Sequence, residues 1–233
     1  MCGRYSLATP TGADLRSRFA LGESVELRQR FNVCPGDDVP AVTTDRDGAP
    51  RGELLRWGLV PYWSKDTSSA YKMINARAET LAERPAYRDA LRTHRCLVVA
   101  DGFYEWQPRE GRPKLPWWVT RADGAPFAFA GLWATWTAPD GTQLRTCTIV
   151  TTEASASLRE IHSRMPVILR GADEEQAWLD HATPAPALPE LLVALPDELT
   201  GRRPVGTAVN DARFDGPECL DPPGPEPEPL ALF

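Results

Sequence analysis

"FAFAGLW" (127–133) and "RTCTIVTT" (145–152) are two apolar runs rich in aromatic and β-branched residues, separated by Gly and Pro. Runs of that kind read as β-strands, and what joins them decides the fold class. The same punctuation recurs along the chain. "RYSLA" (4–8), "VPAVTT" (39–44), "ELLRWGLV" (53–60), "CLVVA" (96–100), "WWVT" (117–120) and "PVILR" (166–170) are further strand-like runs bounded by turn formers. Helical stretches are few, at 12–20, 85–94, 153–161 and 172–181. The last begins behind Gly171 as "ADEEQAWLDH", with acids in its first turn as the helix dipole prefers. Strands that do not alternate with helices disfavour a parallel doubly wound sheet. The expectation is a single α+β domain around a mostly antiparallel, barrel-like sheet with a few short helices.

A chain of 233 residues, 42% hydrophobic and 25% charged with a net charge of −6, can bury a full core and reads as soluble and globular. Residues 1–30 carry "DLRSRF" and "ESVELRQR" where a signal peptide would need an apolar stretch. No run of 18 apolar residues exists, so no membrane span is expected. Cysteines stand at 2, 34, 96, 147 and 219, an odd count without a C-x-x-C pair. That disfavours both a disulfide framework and a zinc site and suits a reducing, cytoplasmic setting. No metal, no cofactor and a monomer are expected. The domain is read as 2–220. The proline-rich acidic segment "DPPGPEPEPLALF" (221–233) is read as a disordered or loosely docked tail. Net charge argues weakly against nucleic acid, yet 23 of the 26 basic residues are arginine, whose planar fork suits phosphate. Local arginine placement therefore has to decide.

Four stretches set polar residues among apolar ones: "CGRYS" (2–6), "INARAET" (74–80), "ADGFYEWQ" (100–107) and "IHSRMPVIL" (161–169). Each has a plain structural reading. Arg77 and Glu79 could form a salt-bridged helix start, Glu105 one end of an ion pair, and His162 a turn residue. One mechanism, however, uses them all. Cys2 is small enough for Met1 to be removed, which would leave a free α-amine and a thiol on one residue. An α-amine has a pKa of about 7.7–8.0 against about 10.4 for lysine, so a sizeable fraction is neutral near pH 7. Such an amine is suited to Schiff-base formation with an aldehyde. The neighbouring thiol can then add to the imine carbon and close a five-membered thiazolidine, a step favoured by high effective molarity.

An aldehyde masked as a sugar hemiacetal must first be opened by acid and base. Glu105, between Tyr104 and Trp106, is a carboxyl in the apolar setting that raises its pKa. His162 exchanges protons near neutral pH. Asn75 can hold the amine or the ring, and it shares a side with Arg77 if the segment is extended. Arg4, Arg77 and Arg164 can clamp phosphates, and Trp106 or Trp63 can stack on exposed bases.

"MCGRYS", "NARAET", "GFYEW" and "HSRMPVIL", in this order, closely resemble the SRAP (SOS-response-associated peptidase) family, whose members process abasic sites in single-stranded DNA. "RFNVCP" (30–35), "WGLVPYW" (57–63) and "VNDARFDGPECL" (209–220) also look like family segments, so the resemblance spans residues 2 to about 220. It implies an α+β fold with a barrel-like sheet and a thiazolidine crosslink between Cys2 and an abasic site. It further implies Asn75 positioning the intermediate, Glu105 as acid/base, His162 assisting proton transfer and reversal, and Arg4 and Arg77 on the DNA backbone, with Arg164 and Trp106 beside them. "RFNVCPGDDVP" departs from the pattern at Cys34 and at Asp37–Asp38, whose carboxylates repel phosphate. Two rival readings stand. In one, Cys2 is the N-terminal nucleophile of an amidohydrolase or peptidase. In the other, the chain binds single-stranded DNA without covalent chemistry and Cys2 is inert.

Overall fold

The computed structural model describes residues 2–9, 12–45 and 47–225. Met1, and with it the expected N-terminal processing, lies outside the described residues, as does 226–233, the greater part of the expected tail. In chain order the strands are β1 (Tyr5–Leu7), β2 (Arg30–Val33), β3 (Asp38–Thr44), β4 (Pro50–Trp57), β5 (Asn75–Arg77), β6 (Arg95–Ala100), β7 (Gly102–Arg109), β8 (Arg112–Arg121), β9 (Phe127–Thr137), β10 (Gln143–Glu153), β11 (Arg164–Pro166), β12 (Ile168–Leu169) and β13 (Thr200–Pro204). The helices are α1 (Ala13–Arg18), α2 (Pro85–Thr93), α3 (Ala172–Leu179) and α4 (Leu188–Leu191).

The two apolar runs become β9 and β10, an antiparallel pair with Trp133 opposite Cys147. From that pair a ring closes. β9 pairs with β6, β6 with β3 and β3 with β4, all antiparallel. β10 then joins β4 in parallel at Thr146↔Arg56 and Cys147↔Trp57. The result is a five-strand barrel, which leaves none of its strands with an open edge. β5, β11 and β12 extend it from β10 and β9. A second sheet, in the order β13-β8-β7-β1-β2, packs against the barrel and carries the chain start. The fold is α+β and mostly antiparallel, as expected, with parallel joins where β10 meets β4 and β5.

Alternation along the strands divides the core. Ala41, Leu55, Trp57, Cys96, Val98, Phe129, Cys147 and Ile149 fill the barrel with Tyr5 and Phe103 from the second sheet. Their neighbours Val42, Leu97, Val99, Ala128, Ala130 and Leu132 face outward under Phe19, Tyr87, Trp178 and Leu179. Both faces of β6 are covered, which is why "CLVVA" is continuously apolar. Arg95 is fully buried at the head of that strand. It donates to the carbonyls of Leu91 (2.6 Å), Asp180 (2.6 Å) and Trp178. One guanidinium thereby caps the C-terminal ends of α2 and α3, where the helix dipole favours a cation.

The helix expected at 153–161 does not form. Glu153 ends β10, and the segment after it is a series of turns closed by Ile161 N–H to the Leu158 carbonyl (2.9 Å) and His162 N–H to the same carbonyl (2.9 Å). Ser155 and Ser157 hydrogen-bond locally, a competition that disfavours helix, and the Ser157 amide is taken by Asp197 (3.1 Å). The expected strand at 166–170 is likewise interrupted, dividing into β11 and β12.

Candidate active site at the chain start

The first strand is stitched between two others. Tyr5 stands opposite Phe103 on one side and Val33 on the other, and the Tyr104 amide donates to the Arg4 carbonyl at 3.0 Å. This carries Cys2 into the barrel-side core, where it has no solvent exposure. Its thiol points back at the Arg4 carbonyl, 3.6 Å away. Asn75 arrives from β5, which runs parallel to β10, and its Nδ2 donates to the Cys2 carbonyl at 2.6 Å. Its Oδ1 is buried and accepts no hydrogen bond among the described residues.

Glu105 lies on the same face of β7 as Phe103, opposite Trp117, and is 5% exposed. Burial raises its pKa to about 7, against the pull of nearby positive charge that includes Lys114. Burial also pushes the Cys2 thiol well above its ordinary value, and the charge of Glu105 adds to that shift. Glu105, His162 and Arg164 line a crevice with Phe103, Val119, Leu158 and Ile161 that is too narrow for a water molecule. In it the main chain of Arg164 holds the imidazole, with its amide 3.0 Å and its carbonyl oxygen 3.1 Å from His162 Nδ1. Burial first, and neighbouring positive charge second, hold the His162 pKa below its usual value.

The arginines differ in their surroundings. Arg4 donates through Nη1 to Asn32 Oδ1 (2.9 Å) and to the Val209 carbonyl (2.8 Å). Asn32, itself buried, donates to the carbonyls of Asp211 and Phe214, so 209–214 is strapped across the chain start. Arg77 is exposed at the end of β5. The Arg77–Glu79 pair considered from the sequence is not what forms. Glu79 takes the guanidinium of Arg164 with two bonds, at 2.6 and 2.9 Å. Trp106 Nε1 donates to Asn210 Oδ1 at 2.7 Å. Trp63, 49% exposed and set edge-on against Tyr62, lines a separate cleft of about 200 Å³ with Trp133 and His94. The structure therefore gathers Cys2, Asn75, Glu105, His162 and Arg164 and sets Trp63 apart.

In the divergent loop, Asp37 accepts from Arg30 (2.6 Å) and from the Cys34 amide (3.0 Å), and Asp38 pairs with Arg56 (3.3 Å). Its carboxylates are thus answered by the protein's own arginines. Sequence reasoning missed Asn32, Lys114 and Trp117. "WWVT" reads as a strand, but nothing local says which residue of β7 it faces. Among the described residues no group of three or more His, Cys, Asp or Glu side chains could hold a metal ion.

Residues 1–212 match the model of the SOS response associated peptidase (SRAP) family. The chain is 39% identical over 225 residues to the abasic site processing protein YoaM of Bacillus subtilis, covering 95% of this chain and 98% of that one. It is 32% identical to the abasic site processing protein HMCES of Xenopus tropicalis, over 85% of this chain and 68% of that one. A crystal structure of a Bacteroides thetaiotaomicron protein shares the fold at a TM-score of 0.85 and 24% identity, covering 95% of this chain and 99% of that one. With the motif-bearing residues gathered at one site and the match running nearly end to end, this chain belongs to the SRAP family.

Proposed function

We propose that this protein processes abasic sites in DNA, capturing the ring-opened sugar of single-stranded DNA as a thiazolidine on Cys2. The names of its relatives support the abasic-site chemistry. The observation that carries the finer reading is the seat of the chain start: Cys2 is held through its carbonyl by Asn75 beside a glutamate whose pKa is about 7. A carboxyl poised there can give a proton to the ring oxygen and take one from the anomeric hydroxyl as the hemiacetal opens.

With Met1 removed, the Cys2 amine attacks the aldehyde carbon, and Glu105 in its acid form protonates the departing hydroxyl, so one water leaves and an imine remains. The thiol, kept neutral by burial, then adds across the C=N bond. A carbon–sulfur bond forms, the thiol proton passes through His162 to nitrogen, and no further atom is lost. Asn75 fixes the peptide that bears both nucleophiles. Arg4 and Arg77 hold phosphates beside the lesion, and Trp106 offers a stacking face to a neighbouring base. All five cysteines are free thiols, in keeping with action in the reducing cytoplasm.

The test is the intact mass of untagged protein incubated with a single-stranded oligonucleotide carrying one abasic site. The expected product survives denaturation and weighs protein minus methionine plus DNA minus water. It is absent with undamaged DNA, with Cys2→Ala, and with residues retained ahead of Cys2. No adduct from protein shown to have lost Met1 would overturn this reading and favour the N-terminal-nucleophile peptidase. Unchanged function in Cys2→Ala would instead favour a non-covalent binder.

A further inference from the structure

Two consecutive residues late in the chain take hold of two side chains at the candidate site. The Val209 carbonyl accepts from Arg4 Nη1 at 2.8 Å, and the Asn210 side-chain oxygen accepts from the Trp106 indole N–H at 2.7 Å. Arg4 and Trp106 are half-buried, while Asn210 itself is exposed. Trp106 follows Glu105 on β7, so its side chain leaves the opposite face of that strand. There it packs with Phe31 and Trp118 against a small cluster of Tyr104, Val205, Val209 and Cys219. The indole thus has an apolar seat, and one directed bond decides how the ring is turned in it.

The residues that supply these acceptors are themselves braced. Val209 and Asn210 close the short 3-10 turn Thr207–Asn210, in which the Val209 side chain is fully buried. The carbonyls that follow are tied by Asn32 Nδ2, at 2.9 Å for Asp211 and 2.7 Å for Phe214. Asp215 then accepts from the amides of Phe31 and Asn32, both at 2.7 Å. Asn210 therefore holds Trp106 from a segment fixed on either side of it.

We infer that Asn210 is a positioning residue for DNA binding: it fixes the Trp106 ring as the stacking face for the base beside the lesion, in a set relation to Arg4. The inference rests on the function proposed above, and it gives the strap a role in recognition. Glu105 lies on the other face of β7, so the contact acts on binding and leaves the chemistry alone. Loss of the Asn210 oxygen is expected to weaken binding about 5-fold, the lower end of what one stacked base contributes. The rate of adduct formation at saturating DNA stays as it is. Purines offer the larger π-face, so an oriented ring favours a purine beside the lesion, and a loose ring loses that preference.

The experiment compares wild type, Asn210→Ala, Trp106→Phe and the double variant of the full chain in two measurements. The first is the Kd for single-stranded oligonucleotides carrying a tetrahydrofuran abasic analogue, which has no aldehyde and forms no adduct, flanked by purines or by pyrimidines. The second, without DNA, is water exchange of the Trp106 indole N–H in ¹⁵N spectra, assigned among eight tryptophans by its absence in Trp106→Phe. Asn210→Ala is expected to bind about 5-fold more weakly, to lose the purine preference and to keep the wild-type salt slope. In the Trp106→Phe background, where no N–H is left to hold, it should add nothing. Its Trp106 N–H should exchange faster than that of wild type. An unchanged Kd, an equal loss in the Trp106→Phe background, or a salt slope lowered as by a lost phosphate contact would overturn the positioning role. If wild type itself does not bind the analogue, the proposed function fails, and the indole still decides the inference: an equally protected N–H in Asn210→Ala refutes it.

Discussion

Asn75 and Cys2, 73 residues apart in sequence, are joined by a 2.6 Å bond from a side-chain amide to a main-chain carbonyl. The strand that carries Asn75 lies alongside β10, a member of the closed barrel. Cys2 is thereby tied to the closed barrel, although it stands near the start of the chain, where polypeptides usually fray.

Replacing Asn75 should loosen that reference without disturbing the core. Asn75→Ala is expected to slow adduct formation by roughly 10- to 100-fold. Asn75→Asp should be worse, because a carboxylate faces the Cys2 carbonyl oxygen where a donor stood. Gel-resolved time courses with abasic oligonucleotide would rank the two. Equal rates in Asn75→Ala and wild type would remove the bond from the mechanism.

Glu105 makes the reaction pH-dependent in a defined sense. Its acid form is present below about 7, so a step that needs that proton weakens as pH rises through about 7. The α-amine must be neutral and gains reactivity as pH rises toward about 8. The rate should therefore peak between the two values, and Glu105→Gln should lose the falling limb along with roughly 10²- to 10⁴-fold of the rate.

The same carboxyl affects stability. Its folded pKa lies above the ordinary glutamate value of about 4.3, so the folded state holds a proton that the unfolded chain releases. The stabilisation from this group is fully present below that ordinary value and is lost as pH rises through about 7. Above pH 8 Glu105→Gln should be the more stable protein, by up to about 4 kcal/mol. Chemical denaturation of both proteins at pH 5 and pH 8.5 measures it.

Arg77 is the exposed cation of the set, and its loss should appear in the salt dependence. One phosphate contact on single-stranded DNA contributes about 0.7 to the slope of log Kd against log salt. Arg77→Ala is expected to lower the slope by about that amount while weakening binding to all sequences alike. An unaltered slope would place Arg77 away from the backbone.

Arg95 offers a test of the fold apart from the chemistry. Arg95→Met removes the donors that satisfy two helix ends and leaves their carbonyls buried. A loss of about 2–4 kcal/mol follows, or a Tm lower by roughly 5–15 °C for a domain of this size. Adduct formation at 25 °C should be nearly unchanged, since Arg95 lies against α2 and α3 and not at the chain start.

Much of this was legible in local patterns, because strands covered on both faces are continuously apolar, as at 96–100. The polar residues among those strands marked the site for the same reason. A glutamate between two aromatic residues, or a histidine before an apolar strand, is costly to bury without a purpose. What local patterns could not give was partnership. Glu79 stands two residues from one arginine and 85 from another, and it pairs with the distant one. The turn at 154–163 shows the opposite failure: Leu158 and Ile161 have helical spacing, yet neighbouring serines and Asp197 hold their backbone in turns. The short strands β2, β5 and β13 owe their form to the partners they meet in the sheets.

The strap of residues 209–214 across the chain start bears on how the protein is made. A ribosome releases Cys2 first, but the groove that seats it needs Asn75, the β7 strand and finally Val209, whose carbonyl takes Arg4. Contacts of such long sequence separation form late. On the proposed mechanism, an incomplete chain would carry its aminothiol in the open, where any small aldehyde could consume it, without the acid and base that the mechanism calls for. On that mechanism the last stage of synthesis is the stage that arms the protein, and the speed with which the strap closes sets how long the thiol stays unguarded.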